Sequence, residues 1–576
     1  MTYQHQLIGE DTQRTTGKEN VRKYNILAVR LIKDLIERCF GPTGKEKIYI
    51  DIIGESTLTK DGATFLRKID VEHPAAKVLI DAANTVDNEV GDGTITVVII
   101  AASLLEKAEE LMIKNFSPSI ISKGYEIGLK YFLQELNKIS KSVSNKDIII
   151  ISKIVDACLK TKILSLDNSF SDTNKVAKLL VDAIKKIYDY DTGQLDTDNI
   201  KIEEKQGNIS DSQIINGILI DKSIDNDSMP RFIENAKVLL IDEDLESKRT
   251  KTDAEISIAD PNQMFQYKRK ENMIIKNKIE NIVNSGSNVI VSRKGIGLEA
   301  QEYLSKAGII SVKRVKENDL HWLEKATGAK ITNELENSNL KENLGYAGKV
   351  YEKTIGDDKM IFIEDCKSPK AVTLLLRSSS KMILDECHRA VISSLTLVKA
   401  FISNPSIVIG AGSCEAMIAN KLRKRALEFS GREQIVLMKF AEALEEIPLT
   451  IAKNCGMNII DSLIQLHSKF TKNTSKIDSN NNDDIKWFGI DIYNKTINEL
   501  GWEILEPSIV KEQVLNTAVE VTCLLVNIDD VLVKKPLMNT HTHEDGTEHS
   551  HEGGNIKHDH YFDRLGKQQR PNHHYY

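Results

Sequence analysis

The sequence lacks paired cysteines, and this absence excludes several classes of protein. Disulfide-stapled secreted domains and closed zinc sites carry closely spaced cysteines, often as C-x-x-C pairs. No such pair occurs here. We therefore expect buried free thiols in a reducing compartment. The seven cysteines lie singly in apolar stretches: Cys39, Cys158, Cys366, Cys387, Cys414, Cys455 and Cys523.

Long apolar runs are also missing. No stretch reaches the roughly 18 apolar residues that a membrane-spanning helix needs. Residues 1–18 are polar and contain no apolar core of a signal peptide. We therefore predict a cytoplasmic protein with no membrane partner.

Charge of one sign is not concentrated anywhere in the chain. The net charge of −7 is spread as mixed lysine and glutamate, and no basic patch has interleaved aromatics. This distribution argues against a nucleic-acid surface. The 576 residues, 41% of them hydrophobic, suffice for about three or four domains with substantial cores.

Two common nucleotide-binding signatures are absent. No string has the G-x-x-x-x-G-K-[ST] form, which argues against a P-loop NTPase. The run Gly410-Ala411-Gly412 lacks the third glycine and the following βαβ unit of a dinucleotide-binding fold. An unrelated α/β enzyme is poorly supported as well, because no pair of nucleophile and base stands out.

A different Gly-rich stretch runs from Val90 to Thr96, where Gly91 and Gly93 bracket Asp92 before a long apolar run. Glycine lets backbone N–H groups approach an anion, and the first turn of a helix has unpaired N–H groups. An aspartate can hold the Mg²⁺ that accompanies a triphosphate. The stretch predicts a phosphate and metal site. The alternative is a plain turn that caps a helix.

Hydrophobic periodicity divides the chain into three parts. Residues up to about 146 read as mainly helical, with a helix over 20–40 whose buried face would hold Tyr24, Ala28, Leu31, Leu35 and Cys39. From residue 236, strands alternate with helices as in a small α/β domain. After about residue 368 the pattern is helical again, which suggests that both ends of the chain share one discontinuous domain. Further helices are predicted over residues 75–89, 95–113, 147–159, 173–188, 263–284, 297–306, 318–327, 380–403, 414–430, 432–454, 459–469 and 512–526.

Several motifs together resemble the group II chaperonins, the archaeal thermosome and its eukaryotic cytosolic relatives. The resemblance covers nearly the whole chain except for about the last forty residues, and the stretch from Lys325 to Ile331 favours the archaeal form. The motifs are Gly41 to Gly44, Thr57 to Thr64, Val71 to Lys77, Val90 to Thr96, Gly431 to Gln434, Ala441 to Pro448 and Ile504 to Pro507.

The resemblance implies a multidomain α and α+β chaperonin fold. It has a discontinuous, mainly helical equatorial domain, an intermediate hinge domain and an α/β apical domain with a helical protrusion. The implied bounds are 1–146 and 405–535 for the equatorial domain, 147–215 and 369–404 for the intermediate domain, 216–368 for the apical domain with its lid at about 246–284, and 536–576 for a disordered tail.

The resemblance also implies an ATP-dependent chaperone subunit. Such a subunit joins identical or paralogous subunits in a double ring and binds unfolded polypeptides inside it, with ATP and Mg²⁺ as cofactors. Asp92 would ligate Mg²⁺, Glu506 would reach the ribose, and Lys162 would approach the terminal phosphate. From the sequence alone, Lys162 reads equally well as a solvated lysine at a helix end. The implied phosphate contacts are Gly41, Pro42, Asp92, Gly93, Thr94, Ile95, Thr96, Gly410, Ala411 and Gly412.

Hydrolysis needs a carboxylate that orients and partly deprotonates a water molecule. By resemblance, Asp61 supplies one, and a second is expected on the hinge helix. Aligning Leu384 to Lys399 with the pattern of that helix puts Ser393 at the second position. Serine is no base at neutral pH without an activator. Asp385 lies about two helical turns away, or ~12 Å, so we do not expect it to substitute.

Three further departures from the family pattern, Cys39, Ile95 and Ala411, are each expected to weaken a phosphate contact. Together with Ser393 they favour a subunit that binds ATP with Mg²⁺ but turns it over slowly. Two functions follow: an active chaperone subunit, or a structural or regulatory ring member beside active paralogues.

The C-terminal tail, from Thr540 to Tyr576, is rich in histidine. Repeated H-x-H with nearby Asp and Glu fits loose binding of Zn²⁺, Ni²⁺ or Cu²⁺. The alternative, a flexible hydrophilic extension, is favoured by Gly546, Gly553 and Gly554. Eight of the 13 histidines lie there: His541, His543, His549, His551, His558, His560, His573 and His574.

Overall fold

The computed structural model describes residues 12–15, 18–162, 170–189, 192–246, 261–336, 339–367, 370–473, 486–534, 539–542 and 548–551. The chain divides into two compact units. Residues 25–526 form the larger one, and the terminal segments, residues 1–24 and 527–576, form the other.

Helices make up most of both ends of the larger unit, as the sequence pattern predicts. They are α1 Lys18–Ile36, α2 Gly62–Lys68, α3 Pro74–Val90, α4 Thr94–Ile113, α5 Pro118–Ile139, α6 Ile148–Lys162, α7 Phe170–Ile187, α8 Pro261–Ser285, α9 Leu298–Lys306, α10 Glu317–Thr327, α11 Lys381–Ser403, α12 Ser413–Ala426, α13 Arg432–Asn454, α14 Ile459–Asn473 and α15 Ser508–Asn527.

The strands are mostly short and group into several small sheets and one larger sheet. They are β1 Thr12–Thr15, β2 Lys47–Ile50, β3 Ser56–Thr59, β4 Lys141–Ser142, β5 Ile200–Gln206, β6 Gln213–Ile215, β7 Gly217–Ile220, β8 Phe232–Ile241, β9 Val289–Ser292, β10 Ile310–Val312, β11 Ile331–Thr332, β12 Gly345–Ile355, β13 Asp358–Glu364, β14 Val372–Ser378, β15 Ser406–Ile409, β16 Trp487–Asp491, β17 Thr496–Leu500, β18 Leu505–Pro507, β19 Val531–Lys534, β20 Asn539–Thr542 and β21 Glu548–His551.

Helix α4 lies at the centre of the helical part. Its residues from Val97 to Leu105 are all buried, and it packs against α3 and α13. A helix that is apolar all round must be covered on every side. The central position that the sequence predicts for this segment is therefore confirmed.

Helix α1 buries a different face from the one that the sequence predicts. Leu31 is 55% exposed and Leu35 is 42% exposed, whereas Val29, Ile32 and Ile36 are buried. The predicted face was wrong because this helix has two apolar stripes with the same period. Periodicity alone does not distinguish the stripe that meets the core from the one that remains on the surface.

The α/β part forms a seven-stranded sheet in the order β10-β9-β8-β12-β13-β7, with β11 beside β8. Strands β8, β9 and β10 run parallel, and β12, β13 and β7 continue the sheet antiparallel. Parallel strands are covered on both faces and are therefore apolar throughout, as β9 is from Val289 to Val291. The predicted α/β rhythm is confirmed here.

The long helix α11 joins this part to the helices that follow. It packs on α6, α3 and the small sheet β5-β14-β6, in which β5 and β14 run parallel. The domain bounds given above stay a prediction. Of the predicted lid, residues 247–260 lie outside the described residues, and most of the remainder is α8.

Among the helices in the described ranges, none combines the length and apolar character that a membrane crossing requires. In the terminal unit, β1 pairs antiparallel with β19, and β20 pairs with β21. Strand geometry thus occurs at two short segments for which the sequence predicts disorder. His543, His558, His560, His573 and His574 lie outside the described residues, so the prediction of a metal site in the tail stays open.

Candidate functional site

Two left-handed glycines shape the turn between α3 and α4. Gly91 has φ +72° and ends α3, while Gly93 has φ +89° and begins α4. In the described part of the chain, no side chain caps the N-terminus of α4. The first N–H groups of that helix are therefore suited to an anion, as the sequence predicts.

Asp61 stands at the start of α2 and faces this turn. Its carboxylate accepts hydrogen bonds from the Thr64 amide at 2.9 Å and the Thr64 hydroxyl at 2.9 Å. Burial alone would raise the pKa of Asp61. The Lys162 ammonium, 3.3 Å from Oδ1, and the Thr64 hydrogen bonds outweigh burial and hold that pKa below its ordinary value. Asp61 is thus a charged acceptor at neutral pH.

Lys162 is buried at the end of α6 and connects these elements. Its Nζ donates to the Gly91 carbonyl oxygen at 2.9 Å and lies 4.0 Å from Asp87 Oδ1. Burial would lower the pKa of Lys162, but the surrounding carboxylates, Asp61 first, raise it. The alternative of a solvated lysine at a helix end is therefore wrong for the described chain.

Asp92 lies between the two glycines, and the Gly93 N–H donates to its Oδ1 at 2.8 Å. Burial raises the pKa of Asp92 by more than the Lys162 ammonium and this N–H lower it. A divalent cation would offset that penalty. The residue therefore fits the Mg²⁺ ligand that the sequence predicts.

Ser393 lies on α11, whose backbone packs directly on the Gly91 turn. A Cβ built on Gly91 would lie 2.3 Å from the Ser393 carbonyl oxygen. On another side, a Cβ built on Gly62 would lie 2.4 Å from Ile95 Cγ1 and 3.2 Å from Thr94 Oγ1. The structure thus brings Asp61, Gly91, Lys162 and Ser393 together around the start of α4. Thr96 is buried in the first turn of that helix.

The Gly41 turn joins the same group through Lys60. Gly41 has φ +82°, and Lys60 Nζ donates to the Pro42 carbonyl oxygen at 2.9 Å. Because Lys60 precedes Asp61 in the chain, this bond links the Gly41 turn to the Asp61 turn.

A second group forms where β15 leads into α12. The Gly410 N–H donates to the Ile504 carbonyl oxygen at 3.1 Å, and a Cβ on Gly410 would lie 2.2 Å from Glu506 Oε1. Ala411 has φ +55° and Gly412 has φ +72°. Glu506 thus packs on the glycine run, and its role toward the ribose stays a prediction.

Helix α15 connects the two groups. A Cβ on Gly93 would lie 2.5 Å from Val514 Cγ2, so α15 packs under the Gly93 turn. The same helix carries Lys511, which is buried, forms an ion pair with Glu506 and lies 2.7 Å from Glu415 Oε1.

Sequence reasoning missed several residues of these two groups. Lys511 and Glu415 were not predicted, nor was Asp87, whose Oδ2 lies 2.7 Å from Arg67 Nη2. Asp87 precedes Gly91 by one helical turn, and this spacing could have indicated it. Glu415 and Lys511 pair with each other from positions that lie far apart in the sequence, so no local signal existed for that pair.

Comparison with known proteins identifies the family of this chain. Residues 32–536 match the TCP-1/cpn60 chaperonin family. The chain is 38% identical to thermosome subunit beta of Archaeoglobus fulgidus over 535 residues, which is 92% of this chain and 95% of that protein. It is also 38% identical to a thermosome subunit of Methanocaldococcus jannaschii over 552 residues, covering 96% and 97% of the two chains. The chain therefore belongs to the TCP-1/cpn60 chaperonin family and is an ATP-dependent molecular chaperone subunit.

Proposed function

We propose that these two groups of residues bind ATP with Mg²⁺ and that this subunit hydrolyses the nucleotide slowly. The observation that carries the proposal is the packing of α11 on the Gly91 turn. The Ser393 carbonyl oxygen lies against Gly91, whose own carbonyl accepts a hydrogen bond from the lysine that pairs with Asp61, and the family resemblance implies a second carboxylate at position 393.

The residues proposed to bind the nucleotide include groups suited to its phosphates, its ribose and its Mg²⁺. The N–H groups at the starts of α4 and α12 suit phosphate oxygens, and in the described residues neither helix has a capping side chain. Gly41 and Pro42 would border the phosphates, and Lys162 would meet the terminal one. Glu506 would accept a hydrogen bond from the ribose. Mg²⁺ held by Asp92 would neutralise charge on the phosphates.

The residues proposed to carry out hydrolysis include one of the two expected acids. Asp61 is ionised and oriented by Thr64, so it can align a water molecule. Ser393 does not accept a proton at neutral pH. Loss of one catalytic proton acceptor typically costs about 10²–10⁴ in rate. Asp385, eight residues earlier on α11, is about 12 Å along the helix and does not replace it.

The same observation favours a particular role in an assembly. A subunit that binds nucleotide but hydrolyses it slowly would serve beside paralogous, more active subunits in a double ring. It would then form part of the wall of the chamber that holds unfolded polypeptides. Closure of the chamber would depend mainly on ATP hydrolysis by the neighbouring, more active subunits. An active subunit of a uniform ring is the other function, and the rate of hydrolysis separates the two.

Binding and turnover of the purified protein test the proposal together. We expect calorimetry to detect ATP binding that requires Mg²⁺ and is weakened in Asp92→Ala. We expect phosphate release to be slow and to fall further in Asp61→Ala. Rapid turnover that survives Asp61→Ala would contradict the proposed roles, because another acid would then be the base.

A further inference from the structure

Glu386 is a buried carboxylate on α11 that bonds to the turn carrying Asp61. Only 1% of the residue is exposed. The Thr59 hydroxyl lies 2.9 Å from its Oε1 and 3.0 Å from its Oε2, and the Lys60 backbone N–H donates to Oε1 at 3.0 Å. Arg389, one turn later on the same helix, donates to Oε2 at 2.6 Å and 3.0 Å.

The bonds continue from Thr59 to Asp61. The Asp61 backbone N–H donates to the Thr59 hydroxyl oxygen at 3.0 Å. That hydroxyl therefore donates its own proton to Glu386 while it accepts from Asp61. Two consecutive backbone N–H groups, those of Lys60 and Asp61, are thus fixed by Glu386, one directly and one through Thr59.

Neutralising a buried charge does not by itself explain this arrangement. Arg389 already gives Glu386 a positive partner on the same helix, and that pair would satisfy the charge without the turn. The remaining bonds reach residues about 330 positions away, and Arg389 also donates to the Leu58 carbonyl oxygen at 3.3 Å. Each added bond fixes the position of the turn relative to α11.

Helix α11 thus contacts the candidate site at two positions along its length. Ser393 lies seven residues after Glu386, about two turns along the helix, and packs on the Gly91 turn. Because position 393 has no acid, Glu386 is the carboxylate of α11 that bonds to the turn carrying the remaining acid, Asp61, within the described residues.

We propose that Glu386 is a positioning residue for Asp61. It holds residues 59–61 against α11, so that the Asp61 carboxylate faces Lys162 in the reacting geometry. Movement of α11 would then reach Asp61 through this carboxylate. The catalytic consequence rests on the proposed function, whereas the bonding is independent of it.

Thr59 offers a matched pair of variants. Thr59→Val removes the hydroxyl with little change of shape, and Thr59→Ser keeps it. We expect Thr59→Val and Glu386→Gln to lower kcat by about 10²-fold, since small misplacement of a reacting group has effects of that size. ATP affinity should change less than kcat, because residues 59–61 are not among the proposed phosphate contacts. Thr59→Ser should keep most of the parent protein's kcat. Lys399→Gln, which changes an exposed residue on α11, should leave kcat unaltered.

Amide hydrogen exchange of the full-length protein gives a readout that does not depend on turnover. Peptides covering residues 58–64 should exchange faster in Thr59→Val and Glu386→Gln, but not in Thr59→Ser. Unchanged exchange in Thr59→Val would overturn the proposal, and so would an equal loss of kcat in Thr59→Val and Thr59→Ser.

The rates are measured in the Ser393→Asp background, where the proposed function predicts faster hydrolysis. If Ser393→Asp alone fails to raise the rate, the proposed function fails, and the exchange data still decide the role of Glu386. If Glu386→Gln does not fold, the Thr59 pair carries the test.

Discussion

Two lysines of the candidate site, Lys162 and Lys511, lie buried among carboxylates, and their surroundings differ. Lys162 contacts Asp61 and also donates to the backbone of the Gly91 turn. Lys511 is held between Glu415 and Glu506, beside the Gly410 run. The family resemblance implies a further acid near the first lysine, at position 393, where the chain has serine, whereas both acids that contact the second lysine are present.

This difference separates binding from chemistry. The groups proposed to bind the ribose and phosphates depend on backbone geometry and on Glu506, and Cys39, Ile95 and Ala411 are the departures from the family pattern among them. The proposed reaction needs two acids and has one. Nucleotide affinity and the rate of hydrolysis should therefore respond to different substitutions.

Removal of Lys162 should have the largest effect. Lys162→Met leaves the buried Asp61 carboxylate, and the half-buried carboxylates of Asp87 and Asp92, without this counter-charge. Breaking a buried pair in this way typically costs about 3–5 kcal/mol. We expect a loss of that size in the free energy of unfolding, measured by urea denaturation, together with loss of turnover.

Lys511→Met is the matched control, because it also leaves two acids without their buried cation. It should destabilise the protein by a similar amount. A loss below about 1 kcal/mol for Lys162→Met, the range of surface ion pairs, would show that Lys162 is not buried as described.

Glu506→Gln should act on affinity rather than on rate. Replacing a charged hydrogen-bond acceptor with a neutral one costs about 1.5 kcal/mol, or roughly tenfold in binding. We expect KM for ATP to rise about tenfold with kcat unchanged, as measured by steady-state phosphate release. A fall in kcat at constant KM would instead place Glu506 with the reacting groups.

Ala411→Gly should have the smallest effect on stability. Whether it stabilises or destabilises the protein is what the measurement decides. Ala411 has φ +55°, a conformation that costs a residue with a Cβ roughly 1–2 kcal/mol. Glycine relieves this strain but loses more conformational entropy on folding. We therefore expect the free energy of unfolding to rise by about 0.5–1 kcal/mol.

The control for this strain is Gly412→Ala, whose Cβ would lie 2.7 Å from the Pro448 Cα. It should destabilise. Thermal unfolding measures both variants, and a destabilising Ala411→Gly would mean that the methyl group packs favourably in this turn.

The sequence predicts most elements of this fold because their local signals are strong. Helix α4 is apolar nearly all round at its start and follows a Gly-rich turn, so the sequence predicts its central position. Helix α1 has two apolar stripes, and only tertiary packing determines which one is buried. The hydrogen bond between Thr59 and Glu386 joins residues 327 positions apart, and no local pattern reports such a contact. The candidate site was thus predictable at its motifs and not at the residues that support them.

Hydrolysis of pre-bound ATP in a single turnover tests the central claim most directly. Ser393→Asp restores the expected second acid, and Ser393→Ala is its matched control without one. We predict that Ser393→Asp raises the rate by about 10²-fold or more, whereas Ser393→Ala leaves it near that of the wild type, with similar ATP affinity in all three proteins. A wild-type rate that already equals that of Ser393→Asp would contradict the claim that this subunit is slow because it lacks an acid at position 393.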